Sequence, residues 1–251
     1  MCTITLAWQV FEDSPIVLAA NRDELVDRPS EPPARRDWET GIVALKDSEA
    51  AGTWLGYNEH GVLVAITNRW TERSIDGDRS RGLLVRDALA HESAQEAVQF
   101  VERDLDGRSY EGFNLLVADA NSALLVEWDG NPRVRTLEPG IHIVVNVGAD
   151  GQYVIPDELE LRGREQAENA NLLAKVLQPE PGEAAATWLD RAAETVSDHE
   201  YGVCIHRDSF GTRSSSLIHM RSSGVSYRYA DGPPCETAFE PVKASIPVSV
   251  E

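Results

Sequence analysis

The chain is poor in lysine, in cysteine and in long apolar runs, and each shortage removes a class of function. Of 23 basic residues only Lys46, Lys175 and Lys243 are lysine, against 42 acidic residues, for a net charge of −19. That balance argues against nucleic acid and against anionic membranes as partners. An acid excess with arginine preferred over lysine is expected in a high-salt cytoplasm, where screening weakens self-repulsion. The charge therefore speaks of a halophilic prokaryotic source more than of function. The three cysteines, Cys2, Cys204 and Cys235, are widely spaced and form no CxxC. Nothing in them implies a disulfide framework, and a reducing compartment is expected. No apolar run approaches the ~18 residues of a membrane span. No cationic-then-apolar leader precedes Cys2, so a cytoplasmic protein is expected. Neither GxGxxG nor GxxxxGK[ST] occurs, nor CxxCH for covalent haem, and the six histidines are scattered.

What is present is a chain of 251 residues, 42% hydrophobic, without repeat or linker, read as one domain over residues 1–251. Nothing in it sets an oligomeric state. Its elements come in batches. Two apolar strands, Cys2 to Phe11 and Pro15 to Ala20, flank a turn and make a hairpin. Arg28 to Glu39, with three prolines, reads as a surface loop, more a solvated connector than a lid beside the site. Three strands follow, Gly41 to Leu45, Gly52 to Tyr57 and Val62 to Thr67, the last two parted by the turn Asn58-Glu59-His60-Gly61. A helix pair covers Ser80 to His91 and Ser93 to Leu105, with Ser93 and Glu96 as a capping box. Four strands run from Phe113 to Val147. A second helix pair covers Pro156 to Leu177 and Glu183 to His199. Strands at Gly202 to His206, Thr212 to Met220 and Val225 to Tyr229 close the chain. Helix pairs between batches of antiparallel strands suit an α+β fold, a four-layer αββα sandwich of two mainly antiparallel sheets flanked by helix pairs.

The chemistry gathers at the N-terminus. Removal of Met1 would leave Cys2 with a thiol and a free α-amine on adjacent carbons, and an amine of pKa about 7.7–8.0 is a base for that thiol. The hairpin returns Asn21 to Asp23 beside Cys2. Alternation puts Asn21 and Asp23 on one face and Arg22 and Glu24 on the other. The Asp23 carboxylate can hold the amine, and the Asn21 amide can orient what binds. Asn68, closing an apolar strand in Thr67-Asn68-Arg69, is either an oxyanion donor or an Asx turn. Asn146 closes another strand. Cys204-Ile205-His206 places two ligand-type side chains on one strand face. Two are too few for zinc, so Cys204 reads as core, His206 as a strand-end polar residue, and no metal is expected.

Cys2, Ala20-Asn21-Arg22-Asp23-Glu24, Gly52-Thr53-Trp54-Leu55-Gly56, Thr67-Asn68-Arg69 and Gly211-Thr212-Arg213-Ser214-Ser215-Ser216 together resemble the NRDE family, also called the transport and Golgi organisation 2 family. More distantly the chain resembles bile-salt hydrolases and penicillin V acylases. The resemblance implies the fold of N-terminal nucleophile hydrolases over nearly the whole chain. It implies Cys2 as nucleophile, Asp23 steadying its amine and thiol, Asn68 in the oxyanion hole and Asn146 as a second active-site asparagine. It also implies Arg213 as the late arginine that opposes a substrate carboxylate; Asn21 and Arg22, from the hairpin, are the further substrate-binding candidates. One departure stands out: where the bile-salt enzymes carry an arginine before the asparagine, this chain has Ala20. The implied reaction is cleavage of a linear amide or related acyl C–N bond in a small-molecule substrate, through an acyl-enzyme and without a cofactor. The family is also linked to haem and acyl-lipid handling, so the rival reading is a non-enzymatic carrier with haem or an acyl-lipid as ligand.

Overall fold

The computed structural model describes residues 2–38, 41–244 and 246–248. The chain opens with β1 (Thr3–Phe11) and β2 (Ser14–Leu25), the expected hairpin, paired from Thr3 opposite Asn21 to Phe11 opposite Ser14. Then come β3 (Ser30–Arg36), β4 (Ile42–Asp47), β5 (Leu55–Asn58) and β6 (Leu63–Asn68), followed by α1 (Arg81–Ala88) and α2 (Ala94–Gly107). Next are β7 (Phe113–Ala118), β8 (Ala123–Trp128), β9 (Pro132–Thr136), β10 (Gly140–Val145), β11 (Gly148–Ala149) and β12 (Gln152–Tyr153). After α3 (Glu160–Val176) and α4 (Ala185–Ser197), the chain ends in β13 (Phe210–Arg221), β14 (Gly224–Ala230) and β15 (Glu240–Pro241).

Two antiparallel sheets result. One has the order β12-β11-β10-β1-β2-β13-β14-β15, the other β3-β4-β5-β6-β7-β8-β9. Alternation along each strand sorts its side chains between two cores. In β1 and β2, Ile4, Leu6, Trp8, Ile16, Leu18 and Ala20 fill the space between the sheets. Ala7, Val17 and Ala19 turn the other way, onto Trp188, Leu189 and Ala192 of α4. On the second sheet, Ile42, Val64, Leu115 and Val117 pack outward against Leu84, Val85, Val98 and Val101 of α1 and α2. The layers are therefore helix pair, sheet, sheet, helix pair, as the batching of elements predicts. Among the described residues no helix is long and apolar enough to cross a membrane.

Local signals act as expected in several places. The Ser93 hydroxyl accepts from Glu96 N at 3.2 Å and caps α2. The Asn58 side-chain oxygen accepts from His60 N and Val62 N at 3.0 Å each, closing the turn, while its amide donates to Leu89 O and His91 O beyond α1.

Three expectations need correction. Residues 28–38 are not simply a loop: Ser30–Arg36 is β3, with a register shift between Glu31 and Ala34. Pro32 and Pro33 lack N–H donors, and an edge strand with a bulge is where a sheet tolerates them. The last expected residue, Glu39, lies outside the described ones. The strand from Gly52 begins only at Leu55, because Gly52 abuts α1. A Cβ there would meet the Gly82 carbonyl carbon at 2.2 Å, so only glycine lets the first turn of α1 approach. The strand at Gly202 to His206 is absent; a 3₁₀ turn at His199–Tyr201 leads into irregular backbone whose one bridge joins His206 to Gly211.

Candidate active site

Pairing registers deliver the N-terminus to its partners. Thr3 faces Asn21, so Cys2 lies beside Arg22 and Asp23, and the Cys2 thiol donates to the Asp23 carbonyl at 3.6 Å. On the other side Ile4 faces Val144, and the same register carried two residues further brings Asn146 alongside Cys2. The second sheet docks at this end. The Asn146 amide donates to Asn68 O at 2.7 Å, and Trp70 N donates to Asn146 O at 3.0 Å. The end of β6 is thereby tied to the end of β10, and Asn68 reaches the space in front of Cys2.

That space is a cleft of ≈ 90 Å³ lined by Cys2, Asp23, Asn68, Thr53, Trp54 and Ile66, with Ser80, Arg81 and Gly82 from the start of α1. The remaining lining is mostly charged: Arg22, Glu24, Arg28, Lys46 and Asp47, with Ser30 and Leu45 between them. Most of the cations are spoken for. Arg28 pairs with Asp47 at 2.7 Å, Lys46 with Glu31 at 2.6 Å and Arg81 with Glu111 at 2.9 Å. Arg22 differs. It is buried, its nearest carboxylates, Glu24 and Asp47, are 3.8 and 3.9 Å away, and its Nη1 has no partner among the described residues.

Burial pushes the Cys2 thiol above its ordinary range, and the Asp23 charge adds to the rise. A thiol so placed stays protonated at neutral pH until a base takes its proton. Burial likewise pushes the Asp23 carboxyl up, against the hydrogen bond that Thr212 Oγ1 donates to Asp23 Oδ1 at 2.6 Å. The Thr212 hydroxyl is itself held by the Ile205 N–H at 2.8 Å. At Asp47 burial acts upward too, but the Ala50 N–H and the Arg28 guanidinium outweigh it and hold the carboxyl below the usual range.

Of the expected site residues, Cys2, Asp23, Asn68 and Arg22 meet in the cleft, so the expected alternation, with Arg22 on the face away from Asp23, fails here beside the register shift between Thr212 and Ser214. Asn21 does not line it. Fully buried on the helix side, it donates to Val196 O and Val203 O at 2.8 and 2.9 Å and braces the end of α4. Asn146 is a second brace: its side-chain oxygen accepts from Gln166 of α3 at 2.9 Å while its amide holds Asn68. Arg213 sits on the bulge where β13 slips past β2 between Thr212 and Ser214, outside the cleft lining. Removal of Met1, on which a free amine depends, falls outside the described residues. Nothing in the sequence pairs Thr212 with Asp23 across 189 positions, so its part in the site emerges only in the fold. The expectation that Cys204 and His206 stand alone also needs correction, since the fold brings His199 and Cys235 to them.

The family model described as Transport and Golgi organisation 2 matches residues 1–231. The Transport and Golgi organization protein 2 homolog of Bos taurus is 29% identical over 237 residues, covering 83% of this chain and 83% of its own. The Mus musculus homolog is 27% identical over 231 residues, again with 83% of each chain covered. Among solved structures, penicillin V acylase from Agrobacterium tumefaciens superposes with a TM-score of 0.50 at 14% identity, covering 99% of this chain and 100% of its own. A Caenorhabditis elegans N-acylethanolamine-hydrolyzing acid amidase ortholog gives 0.54 at 14% identity, with 86% and 92% covered. These two likenesses identify the fold as that of the N-terminal nucleophile hydrolases.

Proposed function

The chain belongs to the Transport and Golgi organisation 2 family, and from the polar cleft at its N-terminus we propose that it is an N-terminal-cysteine hydrolase of a linear amide or related acyl C–N bond. The observation that carries this reading is the meeting in one narrow cleft of Cys2, just ahead of β1, with Asp23 of β2 and Asn68 of β6, from two sheets. Two proteins of the same fold are named for related chemistry, an acylase and an acid amidase.

With Met1 removed, the Cys2 amine takes the thiol proton, and the thiolate adds to the acyl carbon. Asp23, held by Thr212, keeps the amine in place. The Asn68 amide, anchored through its own carbonyl by Asn146, donates to the oxyanion, a role worth about 2.7–4 kcal/mol per donor in a known hydrolase. The C–N bond then breaks as the ammonium returns its proton to the leaving amine, and water hydrolyses the thioester. Arg22, whose Nη1 has no partner among the described residues, lines the cleft and suits a substrate with a carbonyl or carboxylate oxygen next to the scissile bond. A cleft of ≈ 90 Å³ in front of Cys2 suits a slender chain rather than a bulky ring system such as haem.

Intact mass of wild type and Cys2→Ala, before and after a β-lactone probe, tests the proposal. Loss of Met1 and one adduct confined to wild-type Cys2 are expected. Labelling should rise with pH around the amine pKa of about 8. Retention of Met1, or labelling no faster at Cys2 than at Cys235, would sink it.

A further inference from the structure

Away from the cleft, four side chains from three places in the sequence converge at the surface. His199 lies in the 3₁₀ turn after α4, Cys204 and His206 in the irregular segment that follows, and Cys235 in the turn after β14. One ligand-type atom from each lies within 4.8 Å of the other three. The Cys204 and Cys235 sulfurs are 3.5 Å apart, Cys204 Sγ is 3.6 Å from His206 Nε2, and His206 Nε2 is 3.0 Å from Cys235 Sγ. The His199 and His206 rings stand 5.1 Å apart at 62°.

We propose that His199, Cys204, His206 and Cys235 form a structural site for a tetrahedral divalent transition metal, zinc by its donor set. With Zn–S at about 2.3 Å and Zn–N at about 2.0–2.1 Å, a tetrahedron spaces sulfur from sulfur by about 3.8 Å and sulfur from nitrogen by about 3.6 Å. The three measured separations lie within about 0.6 Å of those values, and His199 supplies the fourth corner. Two thiolates and two imidazoles are a closed zinc set with no open position, which fits structure rather than catalysis. Binding displaces two thiol protons to solvent, forms two Zn–S and two Zn–N bonds, and oxidises nothing.

The backbone is shaped for the cluster. Gly202, at φ 63°, turns the chain out of the 3₁₀ turn toward Cys204, and a Cβ there would meet the Asn169 amide nitrogen at 2.1 Å. Ile205 stands between two of the ligands and is fastened to Thr212 through both backbone and hydroxyl, at 2.8 Å each. A disulfide between Cys204 and Cys235 would need the sulfurs to close from 3.5 Å to about 2.05 Å, and it would leave both imidazoles without a role. The metal would pin residues 199–206 to the segment after β14, on the flank of the strand that carries the Asp23 partner.

The test uses the full chain, made in zinc-supplemented medium and purified under reductant without chelator. Elemental analysis should find about one zinc per chain, falling to none in Cys204→Ser and Cys235→Ser and unchanged in Cys2→Ser. Cobalt loading of the wild type should give thiolate-to-cobalt charge-transfer bands and the strong ligand-field absorption of a tetrahedral ion. Chelation should expose two further titratable thiols and lower Tm by more than about 2 °C. A chain that takes up no metal from excess zinc with all its thiols reduced would overturn the proposal. So would a Cys204–Cys235 disulfide under reductant, or zinc that survives both substitutions.

Discussion

Thr212 shows how one hydroxyl can join two parts of the site. It donates to the buried Asp23 carboxylate at 2.6 Å and accepts from the Ile205 N–H at 2.8 Å, with only 3% of its surface exposed. Thr212→Val keeps the shape but leaves a buried carboxylate oxygen and a buried N–H without this partner, at a cost of about 1–3 kcal/mol. A lower urea midpoint is expected, together with slower labelling of Cys2. Thr212→Ser should restore both, and a valine variant as stable as wild type would refute the account. The same scale separates asparagines that look alike in sequence. Asn21 and Asn146 spend their amides on backbone carbonyls, whereas Asn68 is an exposed side chain in the cleft.

At the scale of elements, the end of β6 is held by a buried network. Arg69 Nη1 donates to Asn114 Oδ1 at 2.7 Å and to Glu127 Oε1 at 2.8 Å, and the Asn114 amide continues to Val145 O of β10 at 2.8 Å. Arg69 therefore serves Thr67-Asn68-Arg69 as the post that fixes where Asn68 points. Removing one partner of a buried ion pair typically costs about 3–5 kcal/mol, because the other charge stays buried. Arg69→Met should lose toward the lower end of that range in urea unfolding, because Arg135 Nε still lies 3.4 Å from Glu127 Oε2, and the double variant Arg69→Met, Glu127→Leu should recover part of it. Simple additivity of the two single losses in a double-mutant cycle would contradict this coupling.

For the molecule as a whole, the net charge of −19 outweighs any single ion pair. Exposed pairs are worth about 0–1 kcal/mol each, so screening them costs little. Raising sodium chloride from 0.1 to 1 M shortens the screening length from about 10 to about 3 Å and relieves repulsion across the surface. Tm should rise over that range. A flat or falling Tm would mean that the paired carboxylates, such as Asp47 with Arg28, dominate instead.

Much of the architecture was legible in the chain because local chemistry dictates it. Alternating apolar residues, turn asparagines and the Ser93 cap each act within a few positions, so the batches of strands and helices, and from them the four layers, follow from sequence alone. The hairpin also places Asp23 beside Cys2. The prolines at 32 and 33 misled because their effect depends on whether a strand lies at a sheet edge, which sequence does not display. Only the tertiary structure could decide that Asn21 and Asn146 brace rather than line the cleft, that Thr212 holds Asp23, and that His199 and Cys235 join Cys204 and His206. Those relations span tens to nearly two hundred positions, and their geometry is set by how the sheets pack and register, which no local pattern encodes.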